Sequence, residues 1–125
     1  MQSRFNHIAL YVVDLKKSTA FYREVIDVEI IPDPFKDDRH VWFKIGEHNQ
    51  LHLIADSESP ESGNMHFAFA VPSLDDFVDH LNRFAIRYDD GKGKTGQVRL
   101  RADGVKQIYL QDPDGYWIEI NEDRF

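Results

Sequence analysis

Asn6-His7-Ile8-Ala9-Leu10-Tyr11-Val12-Val13 returns in altered form as Met65-His66-Phe67-Ala68-Phe69-Ala70-Val71-Pro72. Each stretch is apolar, carries a histidine at its second position and an alanine two residues later. Asp14-Leu15 follows the first and Ser73-Leu74 the second. Asp and Ser both cap helices, because a short side-chain oxygen can accept an orphan backbone N–H. A repeated unit of this kind decides the architecture before any other reading.

Beyond each cap the apolar period changes. Leu74, Phe77, Val78, Leu81 and Phe84 recur at helical spacing, and Leu15, Ser18, Phe21, Tyr22, Val25 and Ile26 give a similar stripe. Val28 to Ile31 and Ile86 to Tyr88 read as short strands. Each half closes with a hairpin. In the first, His40–Ile45 and Gln50–Ile54 flank Gly46-Glu47-His48-Asn49. In the second, Lys106–Gln111 and Tyr116–Ile120 flank Asp112-Pro113-Asp114-Gly115. The fold class is α+β, with two strand–helix–strand–strand–strand modules, about 1–57 and about 64–125, in one domain spanning 1–125. The polar stretch Asp56 to Gly63, with Pro60, reads as an exposed linker.

Side chains alternate across a strand. Ile8, Leu10 and Val12 oppose His7, Ala9 and Tyr11; Phe67, Phe69 and Val71 oppose His66, Ala68 and Ala70. The bulky faces must cover the helices, so the histidine faces look away from them. Small alanines beside both histidines suit an open cleft better than a filled core. His52 and Glu119 hold comparable places in the final strands. With simple four-residue turns, Phe43 lies across from His52 and Ile108 across from Glu119, as apolar walls. Three imidazoles and one carboxylate, His7, His52, His66 and Glu119, then form a nitrogen/oxygen set. Such a set suits one divalent ion: Zn, Ni, Fe, Mn or Co. His40, His48 and His80 lack repeat support and read as surface or local residues.

Composition bounds the function. The chain has 125 residues, 42% of them hydrophobic, enough for one compact domain. Its 15 Lys+Arg against 22 Asp+Glu leave a net charge of −7, which argues against non-specific nucleic-acid binding. There is no cysteine, so disulfides, thiolate metal sites and a cysteine nucleophile are excluded. No apolar run approaches a membrane span, and Asp14, Lys16 and Lys17 interrupt any signal-peptide pattern. A cytoplasmic protein with no membrane partner is expected. Against the acidic background, Lys92, Lys94, Arg99, Arg101 and Lys106 make one basic stretch around Gly91, Gly93 and Gly96. A cleft with that charge attracts an anionic small molecule. Tyr11, Phe43, Arg101, Ile108 and Trp117 are the candidate substrate contacts.

At these residues the sequence resembles the vicinal oxygen chelate superfamily, the glyoxalase, bleomycin-resistance and extradiol dioxygenase group. The resemblance runs through Asn6-His7-Ile8-Ala9-Leu10, Asp14-Leu15, Phe21-Tyr22 and His66-Phe67-Ala68-Phe69. Its most specific part is Leu110-Gln111-Asp112-Pro113-Asp114-Gly115-Tyr116-Trp117-Ile118-Glu119-Ile120. It implies two βαβββ modules in a curved mixed sheet around a metal-binding cleft. Position by position, it implies the ligands His7, His52, His66 and Glu119. It also implies a homodimer in which His7 and His52 meet His66 and Glu119 of the other copy. The closest look is to lactoylglutathione lyase-like proteins, implying an isomerase or lyase that works through a metal-bound enediolate. Glu119 is then ligand and proton carrier. Alternatives within the group are a fosfomycin-type thiol transferase, a ring-cleaving dioxygenase and a metal-free drug-binding protein of the bleomycin-resistance kind. The glyoxalase pattern has a glutamate where this chain has His52. Tyr11 and Asp56 stand where groups that hold glutathione are usual, which argues against glutathione as the thiol.

Overall fold

The computed structural model describes every residue of the chain except Ser62, Asn64, Arg124 and Phe125. Ser62, within the expected linker, is therefore outside the described residues. The chain divides into two compact units, Met1–Pro60 and Glu61–Phe125. Each is one βαβββ module.

In the first module, β1 (His7–Val12) is followed by α1 (Leu15–Ala20), then β2 (Glu29–Ile31), β3 (His40–Ile45) and β4 (Asn49–Ala55). The strand order is β1-β4-β3-β2, with β1 parallel to β4 and the other pairs antiparallel. The Asp14 side chain accepts from the Lys17 N–H at 3.0 Å and so caps α1. The helical path continues over Phe21–Ile26 as a π turn and ends at Asp27, whose N–H reaches the Tyr22 carbonyl in the left-handed conformation. The wider turn still faces Phe21, Tyr22, Val25 and Ile26 inward. They join Leu10, Val12, Phe43, Leu51 and Leu53 in the core. The Tyr22 and Phe43 rings lie 6.0 Å apart, which places the helix side of the sheet.

The second module repeats the plan with β5 (His66–Ala70), α2 (Leu74–Arg83), β6 (Arg99–Leu100), β7 (Lys106–Gln111) and β8 (Trp117–Asn121). The order is β5-β8-β7-β6, again with only the first pair parallel. Ser73 Oγ caps α2 by accepting from the Asp76 N–H at 3.2 Å. Leu74, Phe77, Leu81, Ile108, Leu110, Ile118 and Ile120 are buried. Among the described residues no helix is long and apolar enough to cross a membrane.

Two expectations are corrected. The stretch Ile86 to Tyr88 is not a strand. Asp89 and Tyr109 exchange both backbone hydrogen bonds at 2.9 Å, and Asp89 also bridges Thr95. Gly91, Gly93 and Gly96, all at positive φ, curl the chain back on itself there. The edge place beside β7 is then taken by β6, after the loop.

The hairpin register also differs. Ile45 pairs with Asn49, so the first turn is one residue shorter than anticipated. Gln111 pairs with Trp117, so the second is one residue longer. Asp112 holds that longer turn: its Oδ1 accepts from the N–H groups of Asp114 and Tyr116, each at 2.9 Å. A one-residue change flips every side chain to the other face. Trp42, not Phe43, lies across from His52, and Tyr109, not Ile108, lies across from Glu119. Phe43 and Ile108 are fully buried on the helix side and are core residues, not substrate walls.

Candidate metal and substrate site

Each module brings one pair of the expected ligands together. In the first, His7 and His52 project from β1 and β4 on the face away from the core. Their ring centroids are 6.3 Å apart, and Ala9 is the register partner of His52. His7 Nδ1–H donates to Asn6 Oδ1 at 2.7 Å, which leaves the Nε2 lone pair as the ring's acceptor. Outer hydrogen bonds of this kind set the tautomer of metal-binding histidines. Trp42 stacks flat on His52, centroids 3.7 Å apart at 12°.

His52 is buried, and its pKa lies below the ordinary imidazole value. Burial is the main cause, and the neighbouring His40 and His7 rings add to it. A neutral imidazole is the form that ligates metal. His40 is not the local surface residue anticipated. Its Nδ1 lies 2.6 Å from His52 Nε2, and Phe35 stacks on its ring at 4.3 Å. The signal was alternation along β3: His40 and Trp42 share one face. It pointed wrongly while Phe43 was placed opposite His52.

In the second module, His66 Nε2 stands 3.4 Å from Glu119 Oε1. The carboxylate is buried and both oxygens are engaged. Tyr109 O–H donates to Oε1 at 3.0 Å, and Asn121 Nδ2 donates to Oε2 at 2.6 Å. Gln107 Nε2 in turn donates to the Tyr109 hydroxyl at 3.3 Å. Burial, with the Glu119 carboxylate second, raises the Tyr109 pKa, so the phenol stays a donor. A β-carbon on Gly91 would sit 2.8 Å from Tyr109 Cε2, so glycine at φ +81° lets the loop close on that ring.

A pocket of about 500 Å³ opens beside this pair, lined by His66, Asp89, Gly91, Arg99, Tyr109 and Trp117 among others. Its cation is Arg99. The expected contact Arg101 is committed elsewhere: its guanidinium pairs with Asp103 and with Asp123, the latter at 3.3 Å. Trp117 lines the pocket. Tyr11 is exposed on the face of β1 that carries His7. Among the described residues no three His, Asp or Glu side chains form a single metal-holding group.

The donor chemistry fits a divalent ion: a neutral buried imidazole, a histidine with its outer nitrogen tied, and a carboxylate beside a third imidazole. The profile of the Glyoxalase/Bleomycin resistance protein/Dioxygenase superfamily matches residues 4–120. The chain belongs to this superfamily. Its members are mostly enzymes, bind small molecules, generally use a divalent metal and typically form dimers. The fosfomycin resistance protein FosX of Listeria monocytogenes is 27% identical over 127 residues, covering 97% of this chain and 90% of that protein. The mitochondrial methylmalonyl-CoA epimerase of Mus musculus is 28% identical over 135 residues, covering 95% and 72%. The solved lactoylglutathione lyase from Agrobacterium tumefaciens shares the fold, with a TM-score of 0.73 at 23% identity, covering 98% of this chain and 95% of that one.

Proposed function

We propose that the protein is a metal-dependent isomerase or lyase acting on a small, oxygen-rich, anionic molecule. His7, His52, His66 and Glu119 would hold one divalent ion, chosen among Zn, Ni, Fe, Mn and Co. When bound, the ion supplies a Lewis acid for a substrate oxygen. We infer a homodimer in which His7 and His52 of one subunit share the ion with His66 and Glu119 of the other. A cytoplasmic location fits this role.

The observation that carries the reading is Glu119, buried with both oxygens anchored and flanked by the pocket-lining His66 and Tyr109. A carboxylate held this way is a positioned base for a proton on carbon next to a carbonyl, and it can return that proton to the neighbouring carbon. Asn121 fixes one oxygen. Tyr109 holds the other and lowers its charge density while the base waits. Arg99 draws in and orients the anion, and Trp117 walls the pocket. The resemblance to an epimerase, an isomerising enzyme by name, points the same way.

Glu119→Gln tests this directly. Proton exchange at the substrate's carbon in deuterated buffer should fall by about 100- to 10,000-fold, the usual worth of a positioned acid–base group. Exchange that survives in this variant sinks the role of Glu119. A second reading, opening of an epoxide by an added nucleophile, is favoured by the 27% identity to FosX. Loss of the fosfomycin phosphorus signal during incubation with wild-type protein, metal and a thiol or water would establish it.

A further inference from the structure

We infer that His40 is an additional metal ligand, which would join His52 at the ion. This rests on the metal-binding reading of His7 and His52. Nothing in the repeat announces it, because β7 carries Gln107 at the corresponding register position, opposite Asn121 as His40 is opposite Ile54.

Three observations carry it. First, His40 Nδ1 lies 2.6 Å from His52 Nε2, the nitrogen at the end of that ring farthest from the backbone. Two imidazoles in such a contact share one proton. An ion approaching His52 Nε2 must take the place of that proton, and it then faces the His40 Nδ1 lone pair at the same point. The proton moves to His52 Nδ1, so neither ring becomes an imidazolate, and both freed nitrogens bind the ion. Two nitrogens on one ion at ordinary metal–nitrogen lengths stand ~3.3 Å apart, so the pair need open by less than an ångström.

Second, a carboxylate lies on the far-nitrogen side of His40. His40 Nε2 is 3.8 Å from Asp37 Oδ2, and Asp37 is itself fixed by the Arg39 N–H donating to its Oδ1 at 2.9 Å. A carboxylate on that side of the ring is the kind of outer partner that turns the other nitrogen, Nδ1, toward an ion. Third, the ring is not free to swing away. Phe35 stacks on it at 4.3 Å, and His40 and His52 stack at 4.9 Å with 23° between planes.

The experiment is a cobalt(II) titration of the metal-free full-length protein, read by visible absorption. It compares wild type, His40→Gln and His48→Gln, the last removing an exposed turn histidine as a control. We expect wild type and His48→Gln to give one spectrum and one affinity. His40→Gln should bind at least about tenfold more weakly and shift the cobalt bands, because one nitrogen donor is lost. Weaker binding with unchanged bands would overturn the proposal, since His40 would then only orient His52. Unchanged affinity and bands would overturn it too, while leaving the metal reading standing. No cobalt binding by wild type would sink both. A readout that needs no variant is the imidazole ¹⁵N spectrum of the zinc-loaded wild-type protein. His40 Nδ1 at a metal-bound shift supports ligation, and a free or protonated shift refutes it.

Discussion

The two modules share a strand order, a capped helix and a pair of candidate ligands, yet they surround that pair differently. In the first, His52 is wedged in rings: Trp42 on one face at 3.7 Å, and His40 at its Nε2. In the second, Glu119 occupies the matching place on β8 and is surrounded by donors, Tyr109 and Asn121. The register positions correspond: Trp42 with Tyr109, and His40 with Gln107. Rings and burial keep an imidazole neutral and ready to ligate. Donors to both oxygens keep a carboxylate aimed. On the proposed reading, one scaffold thus makes a passive clamp in one half and a reactive group in the other, by changing a few residues on one sheet face.

The sharpest break of this comparison is to exchange roles. Glu119→Gln should abolish proton exchange by the margin stated above. His52→Gln should instead act mainly on the metal, weakening binding about 10- to 100-fold while turnover of the loaded enzyme falls less. Equal losses of turnover in both variants would erase the distinction between clamp and base. The register itself is tested next. Phe43→Ala should lower unfolding free energy by about 3–5 kcal/mol in urea melts, the cost of emptying a buried aromatic site. Trp42→Ala, on the ligand face, should cost less stability and perturb cobalt binding. The opposite ranking would mean that Phe43 faces the ligands after all.

Tyr109→Phe removes one donor to a charged oxygen and should cost about 1.5–3 kcal/mol in transition-state stabilisation, read as a fall in kcat/KM with the fold intact. Gly91→Ala should reach the same carboxylate indirectly by pushing the Tyr109 ring. Forcing alanine into left-handed backbone adds about 1–2 kcal/mol of destabilisation, measurable as a lower Tm. Restored Tm without restored activity in a Gly91→Asn variant would separate backbone strain from ring displacement.

The smallest effect concerns the loop over that ring. Asp90 has a pKa below the ordinary carboxylate value, chiefly because the Lys92 and Lys94 N–H groups donate to its Oδ1 at 2.9 and 3.0 Å. A carboxylate with a lowered folded pKa stabilises above its unfolded value, about 3.9, and that contribution is lost as pH falls through the folded value. Amide exchange at Lys92 and Lys94 should therefore accelerate only below about pH 4, and Asp90→Asn should remove that step. Faster exchange on raising the pH from neutral in wild type alone would contradict the assignment.

Much of this molecule is written locally. The repeat at His7 and His66, the two helix caps and the division of each first strand into a bulky and a small face depend on neighbours a few residues apart. The strand period of two and the short oxygen of Asp14 or Ser73 act at that range. The chain alone therefore determined the two βαβββ modules and which strand faces carry His7, His52, His66 and Glu119. What lies beside those groups was decided only by the tertiary structure. Turn length sets cross-strand register, and turn length depended on the Asp112 side chain gathering the N–H groups two and four residues on and on where Ile45 met Asn49. That one-residue difference put Trp42 and His40 beside His52 and Tyr109 beside Glu119, and sent Phe43 and Ile108 to the core. It is likewise three-dimensional pairing with Asp103 and Asp123 that holds Arg101 while Arg99 lines the pocket. Alternation along one strand is a covalent property. Which residue of the next strand stands opposite is a choice among hydrogen-bond registers, and only the folded chain makes it.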